Sequence, residues 1–311
     1  MKKHGLLLVD KATDCTSHDV VQQARRILGT RKIGHCGTLD PAATGLLVLT
    51  VGAATRLTRF LIRAPKVYEG TIHFGQVTDT YDAEGEMVEE HSTAALTQDL
   101  VAQAMASFEG EIDHQAPPYS AKKHQGKKYY ELAREGQEIP VETKKVTVWE
   151  LSPQGPLEDD RIDFVLSSSS GTYARTLAYE VGRAVGTGAH LCRLRRRQVG
   201  PFELARALTL DELKGRVQEG VREENLGSAW VPFNEIRLPF GEVTLDVQQE
   251  RRIQHGQTVL LRGRQESEGD WIKLLGSRRQ FLAVGAVTER IGERGVTIVQ
   301  PKIVFSNLAG C

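Results

Sequence analysis

The chain has 311 residues, 40% hydrophobic and 26% charged, which suits a globular protein of about two domains and excludes low-complexity or fibrous classes. Lys plus Arg total 40 and Asp plus Glu total 40, so net charge alone names no nucleic-acid or membrane partner. No run approaches the roughly 18 apolar residues of a membrane span. Cys15, Cys36, Cys192 and Cys311 form no CxxC pair, which argues against a disulfide framework or zinc site and fits a reducing cytoplasm.

The run GLLLVD is ended by Asp10 and Lys11, too early for a signal-peptide core, and predicts a buried first strand. Ser17 is placed to cap a helix reaching Gly29, with Val20, Val21, Ala24, Ile27 and Leu28 on one face. A short strand then leads into GHCGTLDPAATG (34–45), a Gly-rich loop pinned by Pro41 around one acid, Asp40. Asp-Pro is a common turn pair, and its plain reading is a connection between strands. LLVLTVG (46–52) predicts a buried strand and ATRLTRFLI (54–62) a helix. KVYEGTIHFG (66–75) alternates, putting Tyr68, Gly70, Ile72 and Phe74 on one strand face, and TDTYDAEG (78–85) is a polar loop.

Leu96 to Gly110 predicts an amphipathic helix with Leu100, Val101, Ala104, Met105 and Phe108 inward. QAPPYSAKKHQGKKYYELAREG (115–136) is rich in proline and lysine in its first half and helical in its second, ending at Gly136. KKVTVWEL (144–151) and RIDFVLSSSS (161–170) predict strands, and TYARTLAYEVGRAVG (172–186) a helix after a Gly-Thr turn. Thr209 and Glu212 have capping-box spacing ahead of a further helix. WVPFNEIRLPFG (230–241) carries two prolines and reads as a linker, and the residues after it show short strands and glycine turns. Strands and helices mix without strict βαβ alternation, so the fold class is α+β with a mixed sheet and flanking helices in residues 1–236, followed by a small β-rich domain in 237–311.

Charge is segregated although it balances. RRILGTRK (25–32), KKHQGKKYYELAR (122–134), RLRRR (193–197) and RRIQHGQTVLLRGR (251–264) are basic, while acids gather in DAEGEMVEE (82–90) and VREENL (221–226). Such segregation can give a neutral protein one basic face, the footprint of a nucleic-acid partner; the plain alternative is solvated helix and strand surfaces.

Four separated segments, VDKATDCTSHDVV, GHCGTLDPAATGLL, YEGTIHFGQVTDTYDAEG and SSGTYARTLAYEVG…GAHLCRLRRRQVG, together resemble the bacterial TruB family of tRNA pseudouridine synthases in order and spacing. The resemblance extends to the insert around 115–140, and more weakly to a PUA-type RNA-binding module for 237–311. It departs at one turn, where Ala12 and Asp14 stand in place of the family's proline and glycine.

The resemblance implies isomerisation of a uridine in the T loop of tRNA to pseudouridine, at the family's tRNA position 55, with no cofactor and no metal. It implies that Asp40 carries the reaction, and a carboxylate can do so as nucleophile or as base. It assigns Arg175 as the cation that holds Asp40, Tyr68 as the aromatic that stacks on the target base and as a proton carrier at C5, and Leu194 as the apolar opposite wall. Tyr173 belongs to the same Gly-Thr-Tyr-x-Arg motif on the substrate side. His35 is expected near the space the flipped uridine leaves, Lys11 beside the pocket or on phosphate, and Asp82 near the RNA or in a structural turn. Lys122, Lys123, Lys127 and Lys128 are expected on phosphate, with His124 able to stack on unpaired bases. The implied partner is tRNA, met as a monomer in the cytoplasm without an obligatory protein partner or membrane. An RNA-binding or RNA-folding protein, and a guide-RNA-dependent relative, share enough of these features to stand as alternatives.

Overall fold

The computed structural model describes residues 4–119, 143–218, 220, 222–292 and 295–305, together with the backbone of 123–124 and 127–128. Ten strands form one sheet in the order β14-β1-β3-β12-β4-β11-β10-β7, with β2 on β3 and β13 on β12. Their ranges are β1 Gly5–Lys11, β2 Ile33–His35, β3 Thr44–Val51, β4 Lys66–Phe74, β7 Gly110–Gln115, β10 Thr143–Glu158, β11 Arg161–Ser168, β12 Ala189–Val199, β13 Phe202–Glu203 and β14 Trp230–Pro232. The short strands β5 (Gln76–Thr78) and β6 (Met87–Glu90) pair apart from it, as do β8 (Lys123–His124) and β9 (Lys127–Lys128). The expected helix in the second half of the 115–136 segment lies outside the described residues.

Burial explains the order. Leu6, Leu7, Leu8 and Val9 on β1, and Leu46 to Leu49 on β3, are covered on both faces, so these strands sit well inside the sheet. Each such side chain contributes about 1.5–3 kcal/mol by leaving water. One apolar cluster packs β1 and β3 against α1 (Ser17–Leu28) and α5 (Leu210–Arg216). A second packs β4, β10, β11 and β12 against α3 (Gln98–Ala106) and α4 (Ala174–Ala184). The segment 52–61 is a 3-10 turn, Gly52–Leu57, running into the short helix α2, Thr58–Leu61. Every pair of strands in this sheet is antiparallel except β12 with β3, where Arg195 and Arg196 lie beside Thr44 and Gly45.

The residues after 241 build a separate five-stranded sheet, β15-β17-β18-β19-β16, with one helix. Its elements are β15 Glu242–Thr244, α7 Val247–Gln254, β16 Val259–Arg262, β17 Trp271–Leu275, β18 Phe281–Ile291 and β19 Val296–Val304; the short helix α6, Glu223–Leu226, precedes them. This sheet has its own core but also gives Phe281, Val284, Ile303 and Phe305 to the cluster around β1 and β3. The rings of Phe233, Phe281 and Phe305 meet with centroids 4.8–5.1 Å apart.

Several expectations are corrected by packing. The segment 230–241 is not a solvated linker: Trp230–Pro232 is the edge strand on β1, and Phe233 and Ile236 are buried behind it. Pro232 is tolerated because it ends an edge strand. Helix α1 is capped by Thr16, in a capping box with Asp19, and Ser17 is its first residue. Leu100 faces outward at 38% exposure, because α3 buries Val101 and Met105 instead.

Candidate functional site

The loop from Cys36 to Ala43 crosses between the two apolar clusters: Cys36 belongs to the first, Leu39 and Ala43 to the second. Three buried side chains from three elements hold its backbone. Lys11, at the end of β1 and fully buried, donates from Nζ to the carbonyls of Ala12 (2.9 Å), Pro41 (2.9 Å) and Ala43 (2.6 Å). Ser17 Oγ accepts from Leu39 N–H at 2.8 Å and donates to the Leu39 carbonyl at 3.1 Å. Arg196, 1% exposed, donates from Nη2 to Gly37 O (3.1 Å), from Nη1 to Thr38 O (3.4 Å) and from Nε to Leu46 O (2.7 Å).

Strand pairing puts Arg196 there. The parallel register sets Arg196 beside Gly45, whose φ is +99° and whose Cβ, were there one, would lie 2.4 Å from the Arg196 carbonyl. Only glycine fits that position. Between these clamps Asp40 is the loop's one acid, with 42% of its side chain exposed.

Arg175, on the first turn of α4 and 6% exposed, faces two acids. Its Nε lies 3.0 Å from Asp40 Oδ2 and its Nη1 3.2 Å from Asp82 Oδ2. The Nε contact is an ion pair off the hydrogen-bond line, so Asp40 is held by charge and proximity. Nη1 and Nη2 also donate to the carbonyls of Thr80 (3.1 Å) and Tyr119 (3.0 Å). Asp82 Oδ1 accepts from Thr80 Oγ1 (2.6 Å) and Glu84 N–H (3.1 Å), so its carboxylate is fixed in the turn.

Asp40 and Arg175 form one wall of a cavity of about 350 Å³. Tyr68 from β4, Leu194 and Arg196 from β12, Lys66, and the turn from Ser169 to Tyr173 complete it. Lys66 donates from Nζ to Ile62 O at 2.6 Å, and burial, then the charge of Arg196, pull its ammonium down to about 8. Tyr173 precedes α4, and its backbone N–H donates to His114 Nε2 at 2.9 Å. The two rings stack with centroids 6.1 Å apart. Burial holds the His114 imidazole down to about 4, in keeping with a ring nitrogen that must accept. The cavity therefore offers one reachable carboxylate, an aromatic face, an apolar face and cationic groups in a space the size of a small-ligand pocket.

The residues singled out from sequence separate into groups. Asp40, Tyr68, Tyr173, Arg175 and Leu194 line one cavity. Asp82 stands behind Arg175, next to a smaller void of about 30 Å³ that it shares with Asp40. Lys11 turns its ammonium inward to the loop and away from solvent, and burial lowers its pKa while the neighbouring charges of Cys15 and Asp40 oppose that shift. His35 ends β2 beside the loop, partly buried, with its pKa lowered by burial. Lys122 lies outside the described residues, and Lys123, His124, Lys127 and Lys128 are described only as backbone in β8 and β9.

Sequence reading gave no place at this site to Lys66, Ser17, Arg196 and His114. For Arg196 a signal existed: in RLRRR it shares Leu194's strand face, so it points to the same cavity. Cys36 is a core thiol, fully buried, with its pKa pushed up to about 12 by that burial.

Residues 25–174 match the model of the TruB family pseudouridylate synthase N-terminal domain. Residues 175–236 match the tRNA pseudouridylate synthase B C-terminal domain, and residues 241–291 the C-terminal model of pseudouridine synthase II TruB. A tRNA pseudouridine synthase B of Nitrosococcus oceani is 38% identical over 299 residues, covering 96% of this chain and 96% of its own length. One of an Arthrobacter species is 45% identical over 216 residues, 67% of this chain and 70% of its own. Among solved structures, a chain from the crystal structure of a Cbf5-Nop10-Gar1 complex superposes with a TM-score of 0.75 at 25% identity, over 96% of this chain and 84% of that one. No helix among the described residues is long and apolar enough to cross a membrane.

Proposed function

This chain belongs to the TruB family of pseudouridylate synthases, and from that membership and the Asp40 cavity we propose that it isomerises a uridine in the T loop of tRNA to pseudouridine. The observation that carries the reading is the Asp40–Arg175 pair: an accessible carboxylate held by a buried guanidinium at the wall of a cavity that Tyr68 and Leu194 also line.

Pseudouridylation breaks the bond from uracil N1 to ribose C1′, turns the base, and rejoins it through C5, which gives up its proton while N1 ends protonated. The loop nucleotide first leaves its stack, which costs a few kcal/mol and is offset by contacts within the pocket. Tyr68 supplies the stacking face and Leu194 the opposite wall. Asp40, ionised, acts at the ribose or the base as nucleophile or base. Arg175 keeps the carboxylate in one orientation, and its second acid, Asp82, fixes the guanidinium in turn. The basic segments bind the tRNA backbone, whose phosphates carry most of the affinity. On this reading the enzyme works as a monomer in the cytoplasm, without cofactor or obligatory protein partner.

The test is incubation of the purified protein with an unmodified tRNA transcript, with no guide RNA or second protein, followed by site mapping. Pseudouridine at one T-loop uridine is expected. Binding without product would leave an RNA-binding protein, and product only on adding a guide RNA would make the chain a guided enzyme.

A further inference from the structure

Where β4 lies against β12, three side chains with nitrogen and sulfur donors converge away from the Asp40 cavity. His73 on β4 is the register partner of His190 on β12, and the two rings meet edge to face with centroids 5.1 Å apart. Cys192 is the extra residue of a bulge, since the register passes from Leu191–Ile72 to Arg193–Thr71. One donor atom from each of the three lies within 4.8 Å of the others.

Two details go beyond proximity. Cys192 Sγ is 3.8 Å from His190 Nε2. A tetrahedral ion with metal–nitrogen bonds of about 2.0–2.1 Å and a metal–sulfur bond of about 2.3 Å sets its donors roughly 3.6 Å apart. His190 Nδ1 is 3.1 Å from the carbonyl of Gln76. A carbonyl can only accept, so Nδ1 carries the proton and Nε2 presents its lone pair toward the sulfur. A backbone carbonyl fixing the tautomer of a ligand histidine is the usual outer-shell arrangement at a metal centre.

We propose that His73, His190 and Cys192 bind a thiophilic divalent transition-metal ion of the zinc class, with three protein ligands and the fourth position open to water. Two imidazoles and a thiolate select zinc-like ions over the oxygen-seeking magnesium and calcium. Binding forms the metal–sulfur bond and releases the thiol proton to solvent. Arg161 hydrogen-bonds Cys192 and also opposes a positive charge on the His73 side, more strongly than Asp160 favours one; its side chain is exposed, so metal binding has to displace it toward solvent. Cys192 also lines the small void that Asp40 and Arg175 share, so the ion clips together the strands that carry Tyr68 and Leu194.

Cobalt(II) titration of the metal-free full-length protein tests this. Near-equimolar uptake is expected, with the intense visible bands of a four-coordinate site and a thiolate charge-transfer band in the near ultraviolet, both displaced by zinc. Cys192→Ser should abolish the charge-transfer band, and His73→Ala should weaken cobalt binding more than tenfold. Zinc should raise the melting temperature of the parent but of neither variant. Circular dichroism establishes that both variants fold; if Cys192→Ser does not, Cys192→Ala takes its place. A charge-transfer band that survives loss of Cys192, the weak bands of a six-coordinate ion, or no uptake at micromolar free cobalt each overturns the site.

Discussion

Replacing Lys11 with methionine separates two roles for that lysine, because a clasp on the loop and a contact to RNA phosphate move different observables. Methionine keeps the length and packing of the side chain but removes the ammonium. The bond to Ala43 O is buried and short, whereas those to Ala12 O and Pro41 O are only part-buried, so water can replace the latter two. A buried carbonyl left without a donor costs about 1–3 kcal/mol, and relief from burying an ammonium offsets part of it. We expect a net loss of about 2 kcal/mol, read as a lower urea midpoint. Asp40 lies between the carbonyls of Leu39 and Pro41, and a displacement of about 1 Å at a reacting group costs about 10²-fold in rate. Single-turnover release of tritium from C5-labelled uridine should therefore slow by about that factor at saturating tRNA, with Kd nearly unchanged. The salt dependence of binding should keep its slope. A phosphate contact would instead reduce that slope by about 0.7–0.9 while leaving the saturated rate alone, and that pattern would refute the clasp.

Asp40→Asn should fold and bind tRNA yet lose at least about 10³-fold in the same tritium assay; a rate within tenfold of the parent, about 1.4 kcal/mol in barrier, would remove Asp40 as the catalyst. His114 has its pKa lowered by burial from 6.5 to about 4, so between those values the unfolded chain binds a proton that the folded one does not. Stability therefore falls as pH drops through that window, by about 3 kcal/mol in full, and His114→Gln should flatten the fall in urea midpoint between pH 7 and pH 4.5; equal slopes would contradict it. Truncation after Phe240 should lower the melting temperature, because it strips Phe281 and Phe305 from Phe233, and should weaken tRNA binding. Chemistry should persist at saturating tRNA in a fragment that folds, since every cavity residue precedes Gly200, and its complete loss would refute that division.

What was legible in the sequence was what is local. The apolar runs of β1 and β3, the alternation of β4 and the Thr209–Glu212 box report their own conformations without reference to distant residues. The motif residues of the cavity were legible through family spacing. The central strand β12 was not, because AHLCRLRRRQV carries four arginines, and burying Arg196 makes sense only once the carbonyls of Gly37, Thr38 and Leu46 are known to surround it. Segment 230–241 misled for a related reason: its prolines suggest a linker, and its apolar residues find their partners on β1 and β18. The choice of Thr16 over Ser17 as helix cap had a local signal, the box spacing of Thr16 and Asp19, while the bond of Ser17 Oγ to Leu39 had none. At Asp14, where the family has glycine, φ is +59°. The departing residue keeps the left-handed turn that glycine would adopt, and aspartate is among the side chains that tolerate it.

The clamps and the ion pair divide the work of placing Asp40. Lys11, Ser17 and Arg196 spend their polar groups on loop carbonyls and one loop N–H, and so fix where the Asp40 backbone sits. Arg175 fixes only Oδ2, and Asp82 with the carbonyls of Thr80 and Tyr119 occupies the rest of its fork. The guanidinium thus needs nothing from a substrate to stay in place, and Asp40 needs no second side chain to face the cavity. Such an arrangement is set before RNA arrives, so tRNA binding energy can go to turning out the base rather than to assembling the catalytic groups. It also explains why a Gly-rich loop surrounds a single acid. A backbone gripped this closely by a parallel strand has no room for a Cβ at Gly45, and the loop sets its single acid at the cavity wall, where the proposed reaction needs a carboxylate.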